Sequence, residues 1–259
     1  MCRMAAYLGP DIRLEQFLIL PPHSLVEQSY APQELVYAKV NVDGYGFGWY
    51  DDNGLPANYV STHPIWSDPN LESLGRSMKS ELWLANIRSA TKGMTVSHAN
   101  TQPFHDDELI FMHNGYIENF IEQSRRDIAA HLSNDIQASI QGTTDSEYIF
   151  ALFREVLTRD KELSIEDGLA ETLDMLDDHV GDSTALLNLL VTDGEVLYAC
   201  RHAVNHQSPS LYYTTDDAMF PGGQLIASER LTLEALWQPV PEKHILIMSN
   251  DAPPELIPL

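Results

Sequence analysis

Met1-Cys2-Arg3 puts a cysteine, the side chain best suited to nucleophilic chemistry, in the second position of the chain. Its side chain is small enough for Met1 to be clipped off, which would leave a thiol and a free α-amine on one carbon. The amine titrates near ~7.7–8.0 and the thiol near ~8.5, so at neutral pH part of the amine is free to take the thiol's proton. That is a nucleophile and its general base in one residue, as in the threonine enzymes that use their own N-terminal amine. Arg88-Ser89-Ala90-Thr91 sets a guanidinium among hydroxyls, a combination suited to a bidentate grip on a carboxylate. His113-Asn114-Gly115 puts an amide beside a glycine N–H, a compact pair of donors for an oxyanion. In Thr144-Asp145-Ser146-Glu147, Thr144 and Glu147 fit a capping box, so Asp145 is left to hold a cationic group. Each also has an ordinary explanation. These are a plain second residue, a surface arginine, an Asn-Gly turn and a carboxylate favoured by a helix dipole.

Such residues need elements to hold them. The short apolar run Arg3–Leu8, stopped by Gly9-Pro10, predicts a buried strand that would fix Cys2 at the mouth of a sheet. Asp11 suits the cap of a short helix bearing Leu14, Phe17 and Leu18. From Pro21 to about Lys39 the pattern is irregular, and His23 within it reads as a solvated loop histidine or a catalytic one. The glycine-dense stretch Asn41–Tyr50 fails as a dinucleotide fingerprint, because an aromatic strand follows where a helix would open. It predicts a close backbone approach to a ligand, or a bare turn, and then a strand from Phe47 to Tyr50.

Further on, a strand Leu82–Ile87 delivers Arg88, and a strand Glu108–Met112 ends in His113-Asn114-Gly115. Helices are expected over Ile117–Leu132, from Thr144 onward, and over Ile165–His179. Five strands then follow, the first two joined by an Asp193-Gly194 hairpin. Cys200, inside one of them, reads as a small buried hydrophobe.

The 259 residues can build a full core as a single domain, residues 1–259. Hydrophobic residues make up 44% of the chain without a run that could span a bilayer, and no secretory signal is evident, which predicts a cytoplasmic protein. With 15 basic against 38 acidic residues the net charge is −23, which argues against nucleic acid and anionic membrane surfaces as partners. The two cysteines lie far apart and form no metal-type Cys-x-x-Cys.

The order of these segments says more than any one of them. A penultimate cysteine, then Arg88-Ser89-Ala90-Thr91, His113-Asn114-Gly115 with Ile117-Glu118-Asn119, and Thr144-Asp145-Ser146-Glu147 resembles the class II glutamine amidotransferases. The motifs occupy roughly the first 160 residues, and the strand-rich remainder is compatible with a second sheet. The resemblance implies an α+β fold, the four-layer αββα sandwich of the N-terminal nucleophile hydrolases, with two stacked and mainly antiparallel sheets. It implies Cys2 as nucleophile with its own amine as base, and Asn114 with Gly115 as oxyanion hole. Arg88, assisted by Thr91, would hold the α-carboxylate of a γ-glutamyl group, and Asp145 its α-ammonium. No metal or organic cofactor is implied. The chain departs from several members of the family at Lys92, where they have histidine, and at Thr101-Gln102-Pro103, where they have Ala-His-Pro.

A narrower set is similar to the ergothioneine-biosynthesis amidohydrolases, EgtC. It comprises Met1-Cys2-Arg3, Pro21-Pro22-His23-Ser24-Leu25 with Gln28-Ser29, Asp43–Tyr50, Pro64-Ile65-Trp66 and the Arg88 segment. That family hydrolyses the γ-glutamyl amide of γ-glutamyl-hercynylcysteine sulfoxide and releases glutamate, so the resemblance implies a small-molecule γ-glutamyl substrate. Trp49 and Trp66 are then candidates for cation–π contact with its trimethylated portion, with core packing as the alternative. A glutaminase subunit that passes ammonia to a separate synthase, and a non-catalytic γ-glutamyl-binding relative, are the other two readings. Oligomeric state is left open.

Overall fold

The computed structural model describes residues 2–34, 40–90, 94–233 and 235–259. In chain order the strands are β1 (Arg3–Arg13), β2 (Tyr45–Tyr50), β3 (Pro56–Ser61), β4 (Lys79–Ile87), β5 (Phe104–His105), β6 (Ile110–Ile117) and β7 (Ala185–Thr192). They continue with β8 (Val196–Arg201), β9 (Ala203–Val204), β10 (Tyr212–Thr214), β11 (Gln224–Ala227), β12 (Gln238–Pro239), β13 (His244–Ser249) and β14 (Glu255–Pro258). The helices are α1 (Leu14–Leu18), α2 (Leu25–Tyr30), α3 (Leu71–Ser77), α4 (Ser124–Ala130), α5 (Asn134–Ser139), α6 (Asp145–Arg159) and α7 (Ile165–Val180). Antiparallel pairing makes two sheets, β12-β10-β11-β1-β4-β2-β3 and β14-β13-β8-β7-β6-β5, with β9 also on β7.

Successive side chains of a strand point to opposite faces, and that alternation sorts the core into three layers. Met4, Ala6 and Leu8 of β1 join Leu82 and Leu84 of β4, Ile110 and Met112 of β6 and Leu190 of β7 between the sheets. The intervening Ala5 and Tyr7, with Trp83 and Ala85, face away from that layer onto Leu14, Phe17, Leu25 and Leu71 from α1, α2 and α3. On the second sheet Phe111, Leu187, Leu189 and Val191 face Ile128, Ile149, Phe153 and Leu173 from α4, α6 and α7. Helices, sheet, sheet, helices is the αββα sandwich expected from the sequence. No helix among the described residues is long and apolar enough to cross a membrane.

Several local boundaries differ from expectation, each for a readable reason. β1 runs on through Gly9-Pro10 to Arg13 because its ladder with β4 shifts register between Leu8 and Ile12 and then resumes. The N-cap of α1 is therefore Arg13 and not Asp11. Within the supposedly irregular stretch, Ser24 accepts the Glu27 N–H at 3.3 Å and starts α2. The helix expected from Ile117 starts only at Ser124, since Ile117 still belongs to β6. His113-Asn114-Gly115 is accordingly mid-strand, paired with Leu189, Asn188 and Leu187, and not a turn. Gly46 and Gly48 lie inside β2, where a Cβ would fall 2.3 Å from the Gln102 oxygen and 3.2 Å from the Pro103 ring. These glycines admit the 100–103 segment, not a ligand.

Candidate active site

β1 and β4 pair with Arg3 opposite Ile87, which brings Cys2 alongside Arg88 at the end of the ladder. Both continue the alternation that points Met4 and Leu84 between the sheets. Cys2, Arg88, Gly115 and Asp145 line one small cavity of about 30 Å³, together with Gln102, His113 and Ser146. Asn114 is not in its wall. It is wholly buried opposite Asn188, and neither atom of its amide has a partner among the described residues. Thr91 lies outside the described residues. A larger cavity of about 320 Å³ sits behind the same segment, against Ala99, Thr101 and Pro103, and neither Cys2 nor Arg88 lines it.

The direction of the Gly115 N–H follows from pairing. Its partner Leu187 donates to His202 C=O at 2.9 Å, on the side of β7 away from β6. In an antiparallel ladder the opposed Gly115 must then also point its N–H outward, away from β7. That is the side on which His113, two residues earlier, donates its N–H to Gln102 Oε1 at 2.6 Å. A Cβ at residue 115 would lie 1.7 Å from the Leu186 oxygen, so only glycine fits there.

Burial pulls the Arg88 pKa below the ordinary guanidinium value, opposed by the charges of Cys2, Asp43 and Asp145. One of its terminal nitrogens donates to Thr95 C=O at 3.1 Å, and the other has no partner among the described residues. A buried donor on a charged group is costly to leave unpaired. Asp145 opens α6, where its Oδ2 accepts the Ile117 N–H at 2.8 Å and its Oδ1 the Ser146 N–H at 2.8 Å. Only half of the expected capping box forms. Thr144 accepts the Glu147 N–H at 3.3 Å, but the Glu147 carboxylate turns to the N–H groups of Gln141 and Gly142, both at 2.7 Å.

The supporting network escaped sequence reasoning. Gln102 Nε2 donates back to His113 C=O at 3.0 Å, so that one amide brackets the His113 backbone. Burial lowers the His113 pKa against the pull of Asp145. In its neutral form His113 donates through Nε2 to Leu186 C=O at 2.8 Å, which leaves Nδ1 to accept the Ser146 hydroxyl at 2.9 Å. Only the polar loop around Gln102 hinted at this. His23 is buried, with Nε2 at 2.8 Å from Glu229, and is not a solvated loop residue. Trp49 packs on Phe47 and Trp83, and Trp66 lies exposed against Tyr30, so neither borders the cavity.

Comparison with known proteins identifies the family. The family model for class-II glutamine amidotransferases matches residues 29–254. The chain is 29% identical to the gamma-glutamyl-hercynylcysteine sulfoxide hydrolase of Mycolicibacterium smegmatis, over 95% of each protein. It is 30% identical to "Probable glutamine amidotransferase DUG3" of Saccharomyces cerevisiae, over 96% of this chain and 82% of that one. Among solved structures, a glutamine aminotransferase class-II domain protein from Silicibacter pomeroyi has a TM-score of 0.71 at 25% identity, covering 99% of this chain and 98% of its own. The chain belongs to the class II glutamine amidotransferases and is an enzyme of that family.

Proposed function

We propose that this chain, acting as a single amidotransferase domain, is a cytoplasmic N-terminal cysteine amidohydrolase of γ-glutamyl amides. Its substrate is γ-glutamyl-hercynylcysteine sulfoxide, and glutamate is released in ergothioneine biosynthesis. The observation that carries the reading is the convergence of Cys2, Arg88, Gly115 and Asp145, from four separate segments, on one cavity. A γ-glutamyl head bears one carboxylate and one ammonium, which match in sign the spare Arg88 nitrogen and the Asp145 carboxylate. The two free cysteines fit a reducing compartment.

In this mechanism removal of Met1 frees the Cys2 amine, which takes the thiol proton. The thiolate attacks the γ-carbonyl carbon, and the Gly115 N–H stabilises the resulting oxyanion together with the Asn114 amide, which lies outside the cavity wall but shares the inter-sheet face of β6 with Met112. Collapse breaks the C–N bond, and the α-ammonium returns its proton to the leaving amine. Water, deprotonated by the same α-amine, then opens the γ-glutamyl thioester to glutamate and the free thiol. Thr91 assists Arg88.

The test is glutamate release by purified protein whose N-terminus has been verified by mass, with glutamine, glutathione and the hercynylcysteine conjugate compared. A clear preference for the conjugate supports the full reading. Equal rates on all three remove the named substrate, and no release from any removes the hydrolase. The yeast relative at 30% identity favours a second reading, a glutaminase subunit feeding ammonia to a separate synthase. That reading requires glutamine hydrolysis that rises when the partner is added.

A further inference from the structure

On the face of the first sheet opposite the Cys2 thiol lies a buried charge cluster that the proposed mechanism does not use. Arg3, fully buried, donates Nε–H to the Cys2 carbonyl at 2.7 Å and an Nη–H to Glu229 Oε1 at 3.1 Å. Glu229 lies just past β11, where Ala5 faces Ala227, so the same register puts it opposite Arg3. Its carboxylate also takes His23 Nε2 at 2.8 Å and the backbone N–H groups of Gln33 at 2.8 Å and Glu34 at 2.9 Å. Glu229 is thereby locked from three sides, and Arg3 is locked by Glu229.

A buried ion pair is seldom a gain in stability over apolar side chains of the same size. Its place in the chain suggests another use. Once Met1 is gone, Cys2 has no preceding peptide, and its carbonyl is the main-chain group through which the described residues hold it. Strand pairing begins at Arg3, so that carbonyl lies beyond the β1–β4 ladder and is satisfied by the Arg3 side chain instead. Fixing it fixes the Cys2–Arg3 peptide plane, and with it the position of the Cys2 α-carbon, so that rotation about the bond from that carbon to the carbonyl is the main-chain freedom left to the residue. We propose that Arg3, clamped by Glu229, is a positioning residue that orients the main chain of Cys2 for attack. This rests on Cys2 being the nucleophile.

Misplacement of a reacting group by about 1 Å costs about 10²-fold in rate, which sets the expected size. Arg3→Lys keeps the charge but loses the fork, and Glu229→Gln keeps the shape but loses the charge. Both should lower kcat by about 10²-fold with little change in KM, because the γ-glutamyl head is gripped elsewhere. Both should also slow alkylation of Cys2 by iodoacetamide across the pH range, a readout that needs no substrate. The double variant Arg3→Met with Glu229→Gln removes both charges at once and keeps an amide oxygen for the donors around residue 229, so it should stay folded and still be slow. Normal kcat and normal alkylation in these folded variants, with only the unfolding temperature moved, would overturn the proposal and leave a structural ion pair. Should the unaltered protein release no glutamate, the functional reading falls, while the alkylation rates still decide whether Arg3 positions Cys2.

Discussion

Cys2 and Cys200 are both buried, at 8% and 0% exposure, yet their surroundings differ in kind. Cys200 sits on β8 among Leu187, Leu189 and Ile245 in the helix-side layer of the second sheet, with its sulfur 3.6 Å from the Leu187 carbonyl. Burial there pushes its thiol up to about 12, so it stays protonated and inert. Cys2 borders a cavity that also holds Arg88 and Asp145, and the side chain of buried Arg3 donates to its carbonyl. Exposure therefore does not separate the proposed nucleophile from the structural thiol. Their neighbours do: Cys2 borders a cavity beside Arg88, and Cys200 is enclosed by apolar side chains.

The sharpest way to break that contrast is to exchange the two thiols' fates. Cys2→Ala is expected to lower turnover by on the order of 10⁴-fold or more without loss of fold. Cys200→Ala should leave turnover intact. Iodoacetamide followed by peptide mass mapping should find the label on Cys2 alone in native protein, and on both cysteines in denaturant. Native labelling of Cys200 ahead of Cys2 would dissolve the distinction.

Next in size is the proposed oxyanion pair. Asn114→Ala should reduce kcat by about 10²–10³-fold. Its amide makes no hydrogen bond with any described residue, so the unfolding midpoint should hold or rise. The reverse pattern, normal kcat with a lowered midpoint, would make Asn114 structural. Smaller again are the head-group contacts. Asp145→Asn should cost about 10–100-fold in kcat/KM, carried mostly by KM, on a substrate with an α-ammonium. On a glutaryl amide, which lacks that ammonium, the same substitution should cost nothing, and this second measurement separates charge recognition from damage to α6.

How far the sequence could be read depends on which interactions are local. The nearly unbroken apolar run Ala185–Thr192 places β7 correctly, because a strand buried on both faces writes its length into eight consecutive residues. The fold class was legible through the order of the motifs and the family they resemble, and the chemistry-bearing residues through their types, which announce what they can do. Asn114 was misplaced at a strand end because Asn-Gly is a strong turn signal in isolation, and nothing local says that β6 and β7 keep pairing through it. The Arg3–Glu229 pair joins residues 226 apart, and His113 meets Ser146 33 residues on. Such contacts leave no mark in spacing. Gly46 was read correctly as a close approach but assigned the wrong visitor, since a missing Cβ records that something comes near and not what it is.

The two regions should also respond to pH in opposite directions, and this is the smallest effect expected. Burial lowers the His113 pKa in the folded chain. Burial alone would raise Glu229, but His23, the Gln33 N–H, Arg3 and the Glu34 N–H together hold it below the ordinary carboxylate range. For both groups the unfolded chain binds protons more readily, so the stability they contribute at neutral pH is lost as pH falls. His113 acts below its unfolded value of about 6.5 and Glu229 below about 4.3. Cys200 runs the other way. Its folded thiol holds its proton while the unfolded one ionises near ~8.5, so its contribution is full below that pH and lost above it. Urea midpoints taken from about pH 2 to 10 should therefore fall at both ends. Glu229→Gln should flatten the part of the acid limb below about 4.3 and leave the His113 part and the alkaline limb, and Cys200→Ala should flatten only the alkaline limb. A Cys200→Ala protein with an unchanged alkaline limb would show that its thiol ionises as readily folded as unfolded, and would remove the physical basis for calling it inert.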